Sequence, residues 1–450
     1  RQGGIIPRMP MQQELMQMIS TLSLPRAAKT ASRGLSRLAL AAALSLAGMG
    51  ALGAASPAMA GGGGAKYSDK FIALAGPFQQ ALEKAKGSKD AGTIDGLKKQ
   101  LDTVIATAST PDDKLLAGQW QLSVGGLAQD MPMQLHGAQA MLASGKAPAE
   151  IQPNLHAAVG EFSFELKDYA TSRAELQAAI SGGYHKDDVD YLLAEADWAD
   201  NKLPEGFDAL HKAVTYVRQS NGTLREGWFK RGIQVAYQTK QVNEAVSFGA
   251  DLVGTFPSKG NWSLVIAVVR DLAQYPSQDN LDLMRLMGRT DSFAEERDYL
   301  EYIQSADARR NPGEVQAIIA KGVASGMLKN DSTTVVEARQ IAAKRIADDK
   351  ASLPGLERDA RAANASVALI TAAGDAFLSY GDAAKAAGFY KAAVAKPGAD
   401  LAVVNTRLGI ALVDSGDYAG AQDAFGKVTG PRQLLASLWT AYAKLKAAGH

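Results

Sequence analysis

The sequence predicts an all-α protein, a solenoid of antiparallel helix pairs, and three observations carry that expectation. From Lys66 onward, stretches rich in Ala, Leu, Glu, Lys and Gln alternate with short breaks of Gly, Pro, Asn or Asp, the signature of one helix following another. No hairpin or alternating strand pattern interrupts them. The pattern also recurs: Gly374, Phe377, Gly381, Ala386, Tyr390 and Ala393 are followed, 35 residues on, by Gly409, Leu412, Gly416, Ala421, Phe425 and Val428. One helix-turn-helix unit therefore occurs twice in succession.

Taken in order, the chain opens with Arg1 to Leu24, which has no clear period, and Met18 reads as a start. Arg26, Lys29, Arg33 and Arg37 then precede an uncharged run from Leu38 to Ala55, which ends in Ser56-Pro57-Ala58-Met59-Ala60. Cations, an apolar run and small residues at Ala58 and Ala60 are the order of a secretory signal, because the peptidase pocket admits only small side chains there. Residues 1–60 are thus expected to be an N-terminal extension and signal peptide, cut after Ala60, and the mature protein to be periplasmic or secreted. A retained membrane anchor needs about 20 apolar residues; the Ala- and Gly-rich run and its cleavage motif favour removal. Residues 61–70, opening with four glycines, are expected to be a flexible leader.

Residues 71–330 are read as degenerate repeats. Gly160, Tyr169, Leu176 and Ala179 recur 34 residues on as Ala194, Leu203, Leu210 and Ala213. A third unit runs from Trp228-Phe229 through Ala236-Tyr237, Ala245 and Leu252 to Pro257. Leu264 to Ala273 and Leu281 to Ser305 continue as helices, and Asn311-Pro312-Gly313-Glu314 is a helix start with proline in the first turn. Residues 331–363 form a charged helical connection interrupted at Pro354, and residues 364–450 a repeat pair whose last helix, Leu434 to Lys446, caps it. At about 34 residues per unit, the segment from Lys66 has room for roughly eleven helix pairs.

The paired units resemble the tetratricopeptide repeat, W-x2-L-G-x2-Y followed by A-x3-F and a closing proline. Small Gly374, Gly409, Ala386 and Ala421 let the two helices approach, Tyr390 and Phe425 fill the space between them, Gly381 and Gly416 sit in the turn, and Pro397 ends the first unit. Ile370 and Asn405 depart from the pattern, standing where it has a large aromatic. The resemblance is specific over Leu369–Val428 and looser over Pro153–Pro257. It implies a right-handed superhelical arrangement whose first helices line a concave groove for a peptide or partner protein.

Composition narrows the chemistry. The 450 residues carry 48 Lys+Arg against 47 Asp+Glu, a net charge of +1, which lacks the basic excess that nucleic-acid binding requires. With no cysteine, disulfides, thiol nucleophiles, iron–sulfur clusters and Cys-ligated zinc are excluded. Apolar residues make up 46% and aromatics 7%, enough for a folded core. His136, His156, His185, His211 and His450 show no metal-ligand spacing, and no phosphate loop, dinucleotide fingerprint or nucleophile elbow occurs. His185-Lys186-Asp187-Asp188 reads as a turn with a capping Asp. Glu295, Glu296 and Asp298, alternating with Arg297, read as a solvated helix face rather than a glycosidase acid/base pair.

The expected function is therefore a non-catalytic protein-interaction scaffold of the cell envelope, without cofactor, with a protein or peptide partner and no membrane span after signal cleavage. The alternative is the helical component of a cell-wall-acting enzyme such as a lytic transglycosylase. In the resembled family the groove is lined by set positions of the first helix. With Gly160, Ala194 and Ile233 each taken as position 8, these are Asn154, Glu161 and Phe164; Tyr191, Glu195 and Trp198; and Lys230, Gln234 and Tyr237. Tyr191 and Trp198 lie two turns apart on one helix face.

Overall fold

The computed structural model describes residues 64–87, 90–186 and 188–449. The expected signal segment 1–60, its expected cleavage point, most of the Gly61–Gly64 stretch, Asp187 and His450 lie outside the described residues. The described residues contain twenty α-helices and no strand, and they divide into two compact units at Leu224/Arg225. That division falls inside the repeat block 71–330.

In the first unit α1 (Asp69–Ala85), α2 (Ala91–Ile105), α3 (Pro111–Ala128) and α4 (Met131–Ala143) are followed by α5 (Gln152–Glu165), α6 (Tyr169–Ser181), α7 (Val189–Ala199) and α8 (Leu203–Gln219). Each packs on its sequence neighbours. Local chemistry sets the starts: Asp90, Thr110, Asp130 and Asp168 each accept the amide three residues on, satisfying a donor that a helix end leaves bare. Asp188, outside α7, has φ 62° and makes no side-chain cap. His185 Nδ1 instead meets Asp190 at 2.9 Å, and its ring stacks on Tyr216.

The second unit contains α9 (Glu226–Gln238), α10 (Val242–Thr255), α11 (Lys259–Ala273), α12 (Ser277–Arg289), α13 (Glu296–Ala306) and α14 (Pro312–Ala324). After these come α15 (Thr333–Ala360), α16 (Val367–Ser379), α17 (Ala383–Val394), α18 (Leu401–Asp414), α19 (Tyr418–Gly426) and α20 (Gln433–Ala447). The repeat spacing appears directly in the packing. Gly160, Gly249, Gly374 and Gly409 each face the residue sixteen further on, Leu176, Val265, Tyr390 and Phe425. A Cβ at any of the four would come within 3.0 Å of that side chain. Gly381 and Gly416 turn the chain with φ of 81° and 85°, a conformation that costs glycine little.

Three sequence expectations are corrected. The segment around Pro354 is one continuous helix, α15, of 28 residues: proline costs the helix one amide bond and crowds the carbonyl a turn back, and here it stands on an exposed stretch where that carbonyl is open to solvent. Asp298 does not lie on a solvated face. It is 3% exposed, caps α13 together with Glu295 and is held 3.0 Å from Arg270 Nη1. The C-terminal helix does more than cap the last repeat, for α20 packs on α19 and also returns against α10 and α12. Its Trp439 is fully buried beside Phe425, and Tyr442 meets Trp262 edge to face at 6.1 Å.

Candidate functional site

The first-helix residues singled out from the sequence are shared between the units: Asn154, Glu161, Phe164, Tyr191, Glu195 and Trp198 in the first, Lys230, Gln234 and Tyr237 in the second. In the first unit, α5 and α7 touch each other, so these first helices adjoin directly. Asn154, Glu161, Phe164, Tyr191 and Glu195 are all half-buried on them. Tyr191 donates its hydroxyl to Glu195 Oε1 at 2.5 Å, which fixes the ring one turn from the carboxylate. Phe164 meets Tyr169 edge to face at 5.6 Å.

Trp198 behaves differently from Tyr191. It is 7% exposed, packs edge to face on Phe207 at 5.5 Å, and its ring lies where a side chain on Gly206 would stand. The two aromatics share a helix face by spacing, yet only Tyr191 reaches the surface. In the second unit Tyr237 is 3% exposed and donates to Asp271 at 2.8 Å, while burial first and the Asp271 carboxylate second push its hydroxyl well above the usual tyrosine value. Lys230 pairs with Glu226 at 2.8 Å, and Gln234 accepts from Arg231 at 3.1 Å.

Sequence reasoning missed a buried ionic cluster in the second unit. Asp282 of α12 is completely buried; Arg285 Nη1 donates to it at 2.8 Å, Arg432 also donates to it, and Arg407 lies 3.5 Å away. Arg285 binds Glu314 through two bonds of 2.8 and 2.7 Å, and the same carboxylate accepts from Tyr302. Arg407 donates to Asp375 at 2.7 Å, where Tyr390 also donates, so the aromatic of a repeat takes part in the cluster. Burial raises the Asp282 and Glu314 carboxyls, but the guanidinium groups outweigh it and hold both below their ordinary values. Asp279, bonded to Arg432, is pushed up because burial and Asp282 prevail over that arginine. A signal was present: the apolar run Leu281 to Met287 carries Asp282 and Arg285 one turn apart, where a surface helix segregates charge from core.

Beside the cluster lies a cavity of about 450 Å³ in the second unit, bordered by α12, α13, α14, α15 and the end of α16. Arg289, Lys321 and Lys350 bring three cations to it, against the single carboxylate of Glu314. A smaller one, about 360 Å³, is lined by Tyr275, Asn280, Arg297 and Glu301. Among the described residues no group of three or more His, Cys, Asp or Glu is placed to hold a metal ion, and no helix is long and apolar enough to cross a membrane.

No protein-family model matches the chain, and no curated protein matches its sequence. Solved structures do match. One is a chain of the structure of Naa15/Naa10 bound to HypK-THB, 12% identical, with a TM-score of 0.36 over 84% of this chain and 65% of that one. The chain thus spans just under two thirds of the length of that protein.

Proposed function

We propose that the chain is an exported, non-catalytic interaction scaffold of the cell envelope, which holds a peptide or partner protein against the first-helix faces of its repeats. The observation that carries this reading is the Tyr191–Glu195 pair. A half-exposed aromatic held by a hydrogen bond presents a large contact area with little rotamer entropy left to lose on binding. It stands on α7, which adjoins α5 with Asn154 and Glu161, so the face extends over two repeats. Export rests on the cation-rich start, the uncharged run and the Ala58-Met59-Ala60 motif.

Crosslinking with mass spectrometry in the native envelope tests the scaffold. Crosslinks to a partner should fall near α5 and α7 and weaken in the Tyr191→Ala plus Glu195→Ala variant. Capture that is unchanged in that variant places the binding face elsewhere, and turnover of cell-wall glycan by the purified chain overturns the non-catalytic reading. N-terminal sequencing of the exported form should find Gly61; a mature chain that keeps Leu38 to Ala55 overturns the cleavage.

A further inference from the structure

We propose that the cavity between α12, α14, α15 and α16 is a binding site for a small organic acid, a carboxylate carried on a hydrocarbon body. The site is independent of the first-helix face described above. Its volume of about 450 Å³ falls in the range of small-molecule sites, and its walls divide by chemistry. Ile318, Ile346 and Leu378 supply aliphatic surface, with the Tyr380 ring at one side. Tyr380 is fixed there because it lies over Gly313, whose missing side chain leaves the ring its place; a Cβ would stand 2.6 Å from it.

The cations define the other wall. The Arg289 guanidinium is pinned by Asp414 through Nε at 3.0 Å and Nη2 at 2.6 Å. Those two bonds use one edge of the fork and leave Nη1 for another acceptor. Lys321 bonds Asp291 at 2.9 Å and the Gly288 carbonyl at 3.2 Å, so two of its three ammonium hydrogens are committed. Lys350 makes no ion pair among the described residues, and its ammonium sits 5.6 Å from the centre of the Tyr380 ring. The one carboxylate lining the cavity, Glu314, already accepts three hydrogen bonds, two from Arg285 and one from Tyr302. Donors from three different helices therefore line a cavity whose own wall carries one carboxylate, the already bonded Glu314, while Asp349 meets the Tyr380 hydroxyl at 3.4 Å, and they stand next to aliphatic surface that favours a hydrocarbon.

The test titrates the full chain with octanoate and with N-acetyl-leucine, which share the carboxylate and the hydrocarbon, and with 1-octanol and octylammonium, which lack the carboxylate. Saturation-transfer NMR reads binding, and acetylation rates of Lys321, Lys350 and the remote Lys427 read its location. At least one of the two acids should saturate below about 10 mM and slow acetylation of Lys321 and Lys350 but not of Lys427. The tighter one tells whether the source is a fatty acid or an acylated amino acid. 1-Octanol should bind about tenfold more weakly. Lys350→Ala, a change at an exposed side chain that leaves the fold intact, should weaken the acid several-fold, and Lys321→Ala plus Lys350→Ala about tenfold. Equal binding of octylammonium, unchanged affinity in both variants, or no saturable binding of either acid overturns the proposal.

Discussion

The indole Nε1 of Trp439 donates to the main-chain carbonyl of Asp282 at 3.0 Å, across 157 residues of sequence. The same Asp282 offers its carboxylate to Arg285 and Arg432, with Arg407 close by. One buried residue thus ties α18 and α20 to α12. Asp282→Ala leaves guanidinium groups in the interior without their shared anion, so the variant should lose about 3–5 kcal/mol. Denaturant unfolding of the full chain measures the loss, and hydrogen exchange should show residues 433–447 losing protection early. Full protection there would mean that apolar packing around Trp439 holds α20 by itself.

The repeat glycines give a paired comparison. Gly409 faces Phe425 and Gly374 faces Tyr390 with no room for a Cβ, so Gly409→Leu or Gly374→Leu should destabilise by about 1–3 kcal/mol through overpacking. Gly388, in the middle of α17, meets nothing within 4 Å. Gly388→Ala should therefore stabilise by about 0.4–1 kcal/mol, since it removes only unfolded-state freedom. Thermal melts of the three variants decide it.

Acid should loosen the start of the first unit. Burial raises the Asp113 carboxyl, but the amides of Thr110, Ser109 and Ser68 and the Ser68 hydroxyl outweigh it and hold the group at about 2. Because its folded value lies below its unfolded one of 3.8, the stabilisation is fully present above about pH 4 and lost as the pH falls toward 2. The change amounts to about 1–2 kcal/mol after solvent screening. The bonds from Ser68, 3.1 Å from its amide and 2.7 Å from its hydroxyl, join the residue before α1 to α3. Exchange at residues 66–72 should consequently rise over that pH window in the wild type and already be raised at neutral pH in Asp113→Ala.

What the sequence made legible is whatever repeats. Glycine and its partner sixteen residues on leave the same trace in three units, so the helix pairs at Gly160, Gly374 and Gly409 stand where the spacing puts them. The return of α20 onto α10 left no such trace, because no fixed sequence spacing links two helices so far apart in the chain. Buried charge escaped for a different reason. An Asp or Arg in a helix is ordinarily a surface residue, so Asp298 read as solvated and Asp282 drew no notice, since the arginines that pair with them, Arg270, Arg407 and Arg432, come from other segments. The cavity beside α15 escaped for the same cause, as its cations belong to three separate segments.

Tyr191 and Trp198, equivalent by spacing, should separate cleanly by mutation. Trp198 is buried against Phe207 and over Gly206, so Trp198→Ala opens a cavity and should cost about 3–5 kcal/mol. A double change of both aromatics would therefore confuse folding with binding. Tyr191→Phe keeps the ring and removes only the 2.5 Å bond to Glu195, a half-exposed interaction whose loss should cost under about 1.5 kcal/mol. If the face of α7 binds a partner through an oriented ring, Tyr191→Phe should weaken capture with an almost unchanged melting temperature, and Tyr191→Ala should weaken it further. A melting temperature that falls as steeply in Tyr191→Phe as in Trp198→Ala would make Tyr191 a packing residue like its neighbour.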